Sequence, residues 1–248
     1  MIERVWIRGA HTGAAPIVML HEGLGSVAHW RDFPERLALA SGTAVFVYSR
    51  HGHGKSSPPA EARESRYLHR EAFEALPALL AEEGIERPVL FGHSDGASIA
   101  LLHASRFPVA ALVLEAPHVF VEDVTVAGVA RMKTAYETSD LPQRLGRHHA
   151  DADSLFRVWS GIWLDPKFRS WNIEDCLERI TCPVLVIQGE DDEYGTVAQV
   201  EAIRVRVPTA EVIMLPACGH APHRDQRDAV LARVREFLEG CASAKLDQ

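Results

Sequence analysis

Residues 89–100, reading VLFGHSDGASIA, leave the chain few ways to fold. Three apolar residues, Val89, Leu90 and Phe91, stop at Gly92. His93, Ser94, Asp95 and Gly96 follow, and apolar or small residues then recur at helical spacing. The pattern is a strand, a sharp turn and a helix, with a serine at the apex. Such a turn strains the serine backbone and pushes the hydroxyl clear of the sheet. A side chain two positions to either side would clash, so glycine suits positions 92 and 96.

Strand-like and helix-like stretches alternate around this turn. Residues 16–20, 43–48, 88–91, 110–115, 183–187 and 211–215 are apolar runs that suit strands buried on both faces. Residues 2–7 alternate weakly, as an edge strand does. Helical spacing marks residues 29–40, 63–83 and 173–180, the stretch with Val197, Val200, Ile203 and Val207, and a closing helix with Val230, Val234 and Phe237. Pro77 should kink or split the second of these. His11-Thr12-Gly13 reads as a turn, and the tail after Gly240 as loose. The alternation predicts an α/β fold, a mostly parallel sheet flanked by helices. From 118 to 176 no strand-like run appears. Residues 119–132 and 153–163 look helical, joined by a polar connection at 148–151. This predicts a helical insertion over 118–176 in a core made of 1–117 and 177–248, since a plain loop is rarely so long.

Composition narrows the function. The 248 residues are 47% hydrophobic and 24% charged, enough for one large domain. A net charge of −8 argues against nucleic acid or an anionic membrane as partner. No run approaches the ~20 apolar residues of a membrane span. The first residues lack the basic-then-apolar order of a signal peptide. Cys176, Cys182, Cys218 and Cys241 show no metal-binding spacing. The expectation is a cytoplasmic protein with a small-molecule substrate; the oligomeric state is not readable.

A serine hydroxyl needs a base to take its proton, and the base needs an acid to orient it. With this type of turn the chain order is serine, acid, histidine. Residues 183–187 are followed by Gln188-Gly189-Glu190-Asp191-Asp192, and 211–215 by Pro216-Ala217-Cys218-Gly219-His220. Each group lies just past the C-terminal end of a predicted strand, where open α/β sheets gather their sites. Asp191, Asp192 and Glu115 all stand as candidate acids. His148, His149, Asp151 and Asp153 look like metal ligands, but no further cluster converges on them, and no metal is expected.

Four motifs together resemble the α/β-hydrolase family: HEGLGS at 21–26, R-x-G-x-G-x-S at 50–56, the Gly92–Gly96 turn, and Gly219-His220-Ala221-Pro222 with its preceding acid. The resemblance covers essentially the whole chain, and the insertion falls where capped members carry theirs. It implies an α/β-hydrolase fold with Ser94 as nucleophile, His220 as base and no cofactor. It implies Asp192 as acid, through the family's Gly-x-x-Asp spacing from Gly189. The backbone N–H groups of Gly23 and Asp95 would form the oxyanion hole. One departure stands out. The family usually has glycine straight after the histidine of the oxyanion loop; Glu22 holds that position here, which moves the donor to Gly23.

The implied activity is hydrolysis of a small or medium carboxylic ester. Thioesters and C–C bonds of vinylogous diketones are alternatives on the same parts, and a non-catalytic ligand-binding protein on the same fold is another. Relatives that dehalogenate or open epoxides carry aspartate where Ser94 stands. Val119, Val124, Met132, Phe156, Trp159 and Trp163 are expected to line a closed, largely apolar pocket, although Trp159, Trp163 and Trp171 suit the insertion's own core equally well. His93 should pack beneath the nucleophile, Arg50 should tie loops together, and Asp95 should matter for its N–H more than its carboxylate.

Overall fold

Continuous apolar strands need cover on both faces, and a seven-stranded sheet between two helical layers provides it. The computed structural model describes residues 1–10 and 13–243. His11 and Thr12 of the expected turn, and the chain beyond 243, lie outside the described residues. The strands are β1 (Arg4–Ile7), β2 (Ile17–Leu20), β3 (Val45–Tyr48), β4 (Val89–His93), β5 (Ala111–Glu115), β6 (Val184–Gly189) and β7 (Ala210–Leu215). Their order across the sheet is β1-β3-β2-β4-β5-β6-β7. Only β1, at the edge, runs antiparallel to its neighbour.

Side chains alternate between the faces. Val18, Leu20, Leu90, Leu112, Leu114 and Val186 join one core, and Ile17, Met19, Val89, Phe91, Val113 and Leu185 the other. The second core is closed by helices α1 (Phe33–Ser41) and, at the end of the chain, Arg227–Ser243. The first is closed by α2 (Tyr67–Arg70), α3 (Leu76–Glu82) and α4 (Asp95–Ala104). Between α2 and α3 the chain widens into a π turn over Glu71–Ala75. Pro77 has no N–H to give, and the wider turn absorbs the break expected there.

Between β5 and β6 lie α5 (Asp123–Thr138), α6 (Leu141–Gly146), α7 (Ala152–Leu164) and α8 (Glu174–Leu177). The sequence pattern leaves α6 unmarked because it is barely more than one turn, opened by Pro142. The helix expected at 173–180 shrinks to the single turn α8. After β6 come α9 (Val197–Arg206), α10 (Pro222–Asp225) and α11 (Arg227–Ser243), so the tail stays helical past Gly240. No helix among the described residues is long and apolar enough to cross a membrane.

The chain leaves β2 for β3 on one side and comes back to place β4 on the other. This is a topological switch point, and the crevice beyond the strand ends there is where such sheets bind ligands. The loop after β2 and the turn after β4 both open into it. They are held close by backbone contact: a Cβ on Gly96 would fall onto the carbonyl oxygen of Leu20 and 2.8 Å from that of His21. Gly96→Ala must therefore push α4 away from β2. The expected loss is about 1–3 kcal/mol of unfolding free energy or more, read by urea denaturation. An unchanged midpoint would contradict this packing.

Candidate active site

Ser94 sits at φ 53°, ψ −116°, a conformation L-residues rarely adopt. Its surroundings hold it there. Its N–H donates to the Glu115 carbonyl at 2.9 Å, and its own carbonyl accepts from Ala97 N–H at 2.9 Å and Ser98 N–H at 3.0 Å. A Cβ on Gly92 would come within 2.6 Å of the Ala97 backbone. The turn therefore needs both glycines, and it lifts the serine side chain off the end of β4.

The loop after β7 meets this hydroxyl. His220 Nε2 lies 2.9 Å from Ser94 Oγ, and His220 Nδ1 lies 2.8 and 2.9 Å from the two oxygens of Asp192. With Nδ1–H donating to the carboxylate, Nε2 is left to accept from the serine. Asp192 also accepts from Tyr194 N–H (2.8 Å), Gly195 N–H (3.2 Å) and the Gln188 side-chain amide (2.7 Å). Gly189 allows the approach: a Cβ there would fall onto the carbonyl oxygens of Cys218 and Gly219. Of the three candidate acids, only Asp192 touches His220. Asp191 is exposed and turned to solvent. Glu115 is fully buried, with its carboxylate 2.6 Å from His223 Nδ1 instead.

Neighbouring rings fix the imidazole from other sides. His93 Nε2 donates to the His220 carbonyl at 2.7 Å, and Tyr194 and His118 lie against the ring at 4.7 and 5.6 Å between centroids. Burial alone would lower the pKa of His220, but the hydrogen bond and charge of Asp192 outweigh it and hold it above the ordinary histidine value. Burial, helped by the nearby His220, pushes His118 down to about 3. His93 is driven well down by burial, and by His223 and His220 beside it.

The loop after β2 completes the floor. His21 Nε2 accepts the Arg50 backbone N–H at 3.0 Å, so Nδ1 carries its proton and donates to the Glu22 carbonyl at 2.7 Å. The Arg50 guanidinium, only 1% exposed, donates to the same carbonyl at 2.8 Å. Arg50 also stands 3.8 Å from Asp95, whose carboxylate accepts the Tyr67 hydroxyl at 2.7 Å. Tyr67 in turn accepts from Trp163 Nε1 at 3.0 Å. The Asp95 carboxylate, expected to matter less than its N–H, is thus a structural tie between core and insertion. Gly23 and Asp95 border the same cavity as Ser94. Gly23 is pressed by Trp159, leaving no room for a Cβ.

That cavity has a volume of about 610 Å³. Trp159, Trp163 and Met132 line it, as expected; Val119, Val124 and Phe156 do not. Val119 sits where the insertion leaves the sheet, and the core claims it: it is fully buried, its N–H bonded to Gln199 Oε1 at 2.7 Å. Phe156 lies at the edge of the α7 stripe, stacked on Tyr136 at 3.8 Å beside Leu145 and Leu155. The lining is also charged rather than largely apolar, with Glu22, Glu193, Arg31, Arg144 and Arg147 among it. Gln188, Tyr194 and His118 were not anticipated. The available signal for Gln188 was a polar residue in an otherwise apolar strand. No group of described residues is arranged to hold a metal ion.

Comparison with known proteins places the fold in a family. The sequence model described as the alpha/beta hydrolase family matches residues 17–233. The chain is 23% identical to a proline iminopeptidase of Lactobacillus delbrueckii subsp. lactis, over 94% of this chain and 91% of that one. It is 26% identical to a 2-hydroxy-6-oxononadienedioate/2-hydroxy-6-oxononatrienedioate hydrolase of Cupriavidus pinatubonensis, over 95% and 90%. Among solved structures, an enol-lactonase from Burkholderia xenovorans superposes with a TM-score of 0.76 at 19% identity, covering 96% of each chain, and so shares the fold.

The histidines should separate in a titration followed by NMR. His220 should change charge above the ordinary midpoint of about 6.5, while His118 stays neutral down to about 3. A His220 midpoint below the ordinary value would mean that burial outweighs Asp192.

Proposed function

The chain belongs to the alpha/beta hydrolase family, and we propose that it is a serine hydrolase cleaving a small or medium carboxylic ester through an acyl-enzyme. The observation that carries this reading is the unbroken hydrogen-bonded line from Ser94 through His220 to Asp192. Ser94 Oγ attacks the carbonyl carbon as His220 Nε2 takes its proton. Asp192 keeps the imidazole in the tautomer that can accept and stabilises the imidazolium that forms. The N–H groups of Gly23 and Asp95 receive the developing oxyanion, each worth roughly 3–4 kcal/mol. His220 then hands its proton to the departing alcohol. Water, deprotonated by His220, attacks the acyl carbon; Ser94 leaves with the proton and the acid is released.

No cofactor enters these steps, and the substrate is a small molecule. The insertion, residues 118–176, acts as a cap that brings Trp159 and Trp163 to the cavity. A cytoplasmic setting fits the acidic chain. The relative named as a 2-hydroxy-6-oxononadienedioate hydrolase favours a second reading, hydrolysis of a C–C bond beside a carbonyl in a vinylogous diketone. Thioester hydrolysis uses the same parts.

Steady-state rates on an activated ester test the assignment. Ser94→Ala should lower kcat by about 10⁶, and Asp192→Asn by about 10⁴ through the wrong tautomer. Asp191→Asn, whose carboxylate faces solvent, should stay within about tenfold of the parent. Equal losses in the two aspartate variants, or an active Ser94→Ala protein, would overturn it.

A further inference from the structure

The cavity beside Ser94 is bordered by two guanidinium groups, Arg31 and Arg147, that the acyl-transfer steps do not use. His29 and Arg31 follow β2; Arg147 and His148 follow α6. The two segments meet through their imidazoles, with His29 and His148 centroids 4.7 Å apart and edge to face. His149 stacks on His29 from another side at 5.3 Å. Arg31 and Arg147 flank this contact in sequence, and both line the same cavity as Ser94. The cavity is lined by five arginines and four carboxylates, whereas the chain as a whole carries a net charge of −8.

The acidic residues nearest in sequence are engaged elsewhere. Asp32 pairs with Arg36 at 2.5 Å and lies 3.7 Å from Arg227. Asp151 caps α7 through the Ser154 N–H, and Asp153 binds Arg157 and Tyr136. Glu22 and Glu193 border the cavity but are held elsewhere, by Leu24 N–H and by His220 N–H. Among the described residues, no carboxylate lies within ion-pair distance of Arg31 or Arg147. Burial, helped by its neighbours His149, His148 and Arg31, pushes His29 down to about 4, so this imidazole is uncharged and the positive charge here rests on the guanidinium groups.

Arg31 also has φ 53°, an uncommon state for a residue with a Cβ. Such conformations persist where the surroundings impose them and gather at ligand sites. Here the strained turn after β2 places a guanidinium at the cavity beside Ser94. A guanidinium without a carboxylate partner attracts anions and offers them paired donors.

We infer that this arginine pair binds an anionic group, a carboxylate or a phosphate, carried by the substrate away from its scissile bond. The substrate class is then an ester, or a related acyl compound, with a negative charge on its acyl or its alcohol part. The inference rests on the hydrolase reading for turnover, but its binding arm does not.

The turnover test compares matched esters in the parent protein. On the acyl side, 4-nitrophenyl hydrogen glutarate is set against its neutral methyl ester. On the alcohol side, the butyrate of 4-hydroxybenzoate is set against its methyl ester, and the butyrate of 4-hydroxyphenyl phosphate against phenyl butyrate. The expected result is that kcat/KM for at least one anionic member exceeds that of its neutral partner by about tenfold. Arg31→Gln/Arg147→Gln should cut this ratio by about tenfold or more. Arg233→Gln/Arg235→Gln removes the same net charge from α11, away from the cavity, and should keep the ratio.

The binding arm is calorimetry with glutarate and with inorganic phosphate, which distinguishes the two anions without turnover. The cavity variant should weaken the anion that binds by about tenfold, and the α11 variant should not. Equal use of charged and neutral esters, or equal effects of both variants, would overturn the inference. Anion binding that needs Arg31 and Arg147 in a protein inactive on every ester would uphold the arginine pair and refute the hydrolase reading instead.

Discussion

The backbone at Ser94 is the constraint on which the rest of the site depends. Holding a serine at positive φ costs on the order of 1–3 kcal/mol, and the fold recovers it by making every neighbour agree. The Glu115 carbonyl takes the Ser94 N–H, Gly92 lets α4 come down onto the strand, and Gly96 lets α4 press on β2. One consequence is that β2, β4 and β5 end at a common level, with Leu20 beside Gly92 and His93 beside Glu115. The loops after β2, β6 and β7 can then converge on one hydroxyl.

Buried polar chemistry keeps those loops apart from the solvent and tied to one another. Arg50 and Asp95 are nearly inaccessible, and such groups are tolerated only where partners are close. Arg50 reaches the loop after β2; Asp95 reaches Tyr67, and through it Trp163 on α7. His149 adds a second tie to the insertion. Its Nδ1 accepts the Gly54 N–H at 2.9 Å, so its other nitrogen donates to the Leu24 carbonyl at 2.8 Å. Glu115 plays the same part on the far side, joined to His223 three residues after His220. The site is therefore held from both sides by neutral imidazoles and paired carboxylates. Burial drives His21, His53 and His93 well below the ordinary value, which keeps them uncharged.

The parts legible in the sequence are those in which backbone geometry dictates residue type. The Gly92–Gly96 turn, the parallel sheet and the order serine, acid, histidine follow from glycine spacing and from apolar runs ending in polar loops; the choice of Asp192 among the acids comes from the resemblance to the α/β-hydrolase family. What was not legible depends on which way side chains face across long sequence distances. Phe156 and Trp159 are three residues apart on α7, yet one packs on Tyr136 and the other on Gly23. Periodicity marks the stripe but not the partner at each edge. The charged lining was hidden for the same reason: Arg31 and Arg147 come from loops 116 positions apart, and only the fold makes them neighbours of one cavity.

The central claim is that Ser94 carries the acyl group during turnover. Rapid quenching of the parent protein with an excess of an activated ester, followed by digestion and tandem mass spectrometry, reads this directly. The account predicts an acyl adduct on Ser94, formed within the first turnover and lost as the ester is consumed. An adduct on another residue, or steady turnover with Ser94 unmodified throughout, would contradict it.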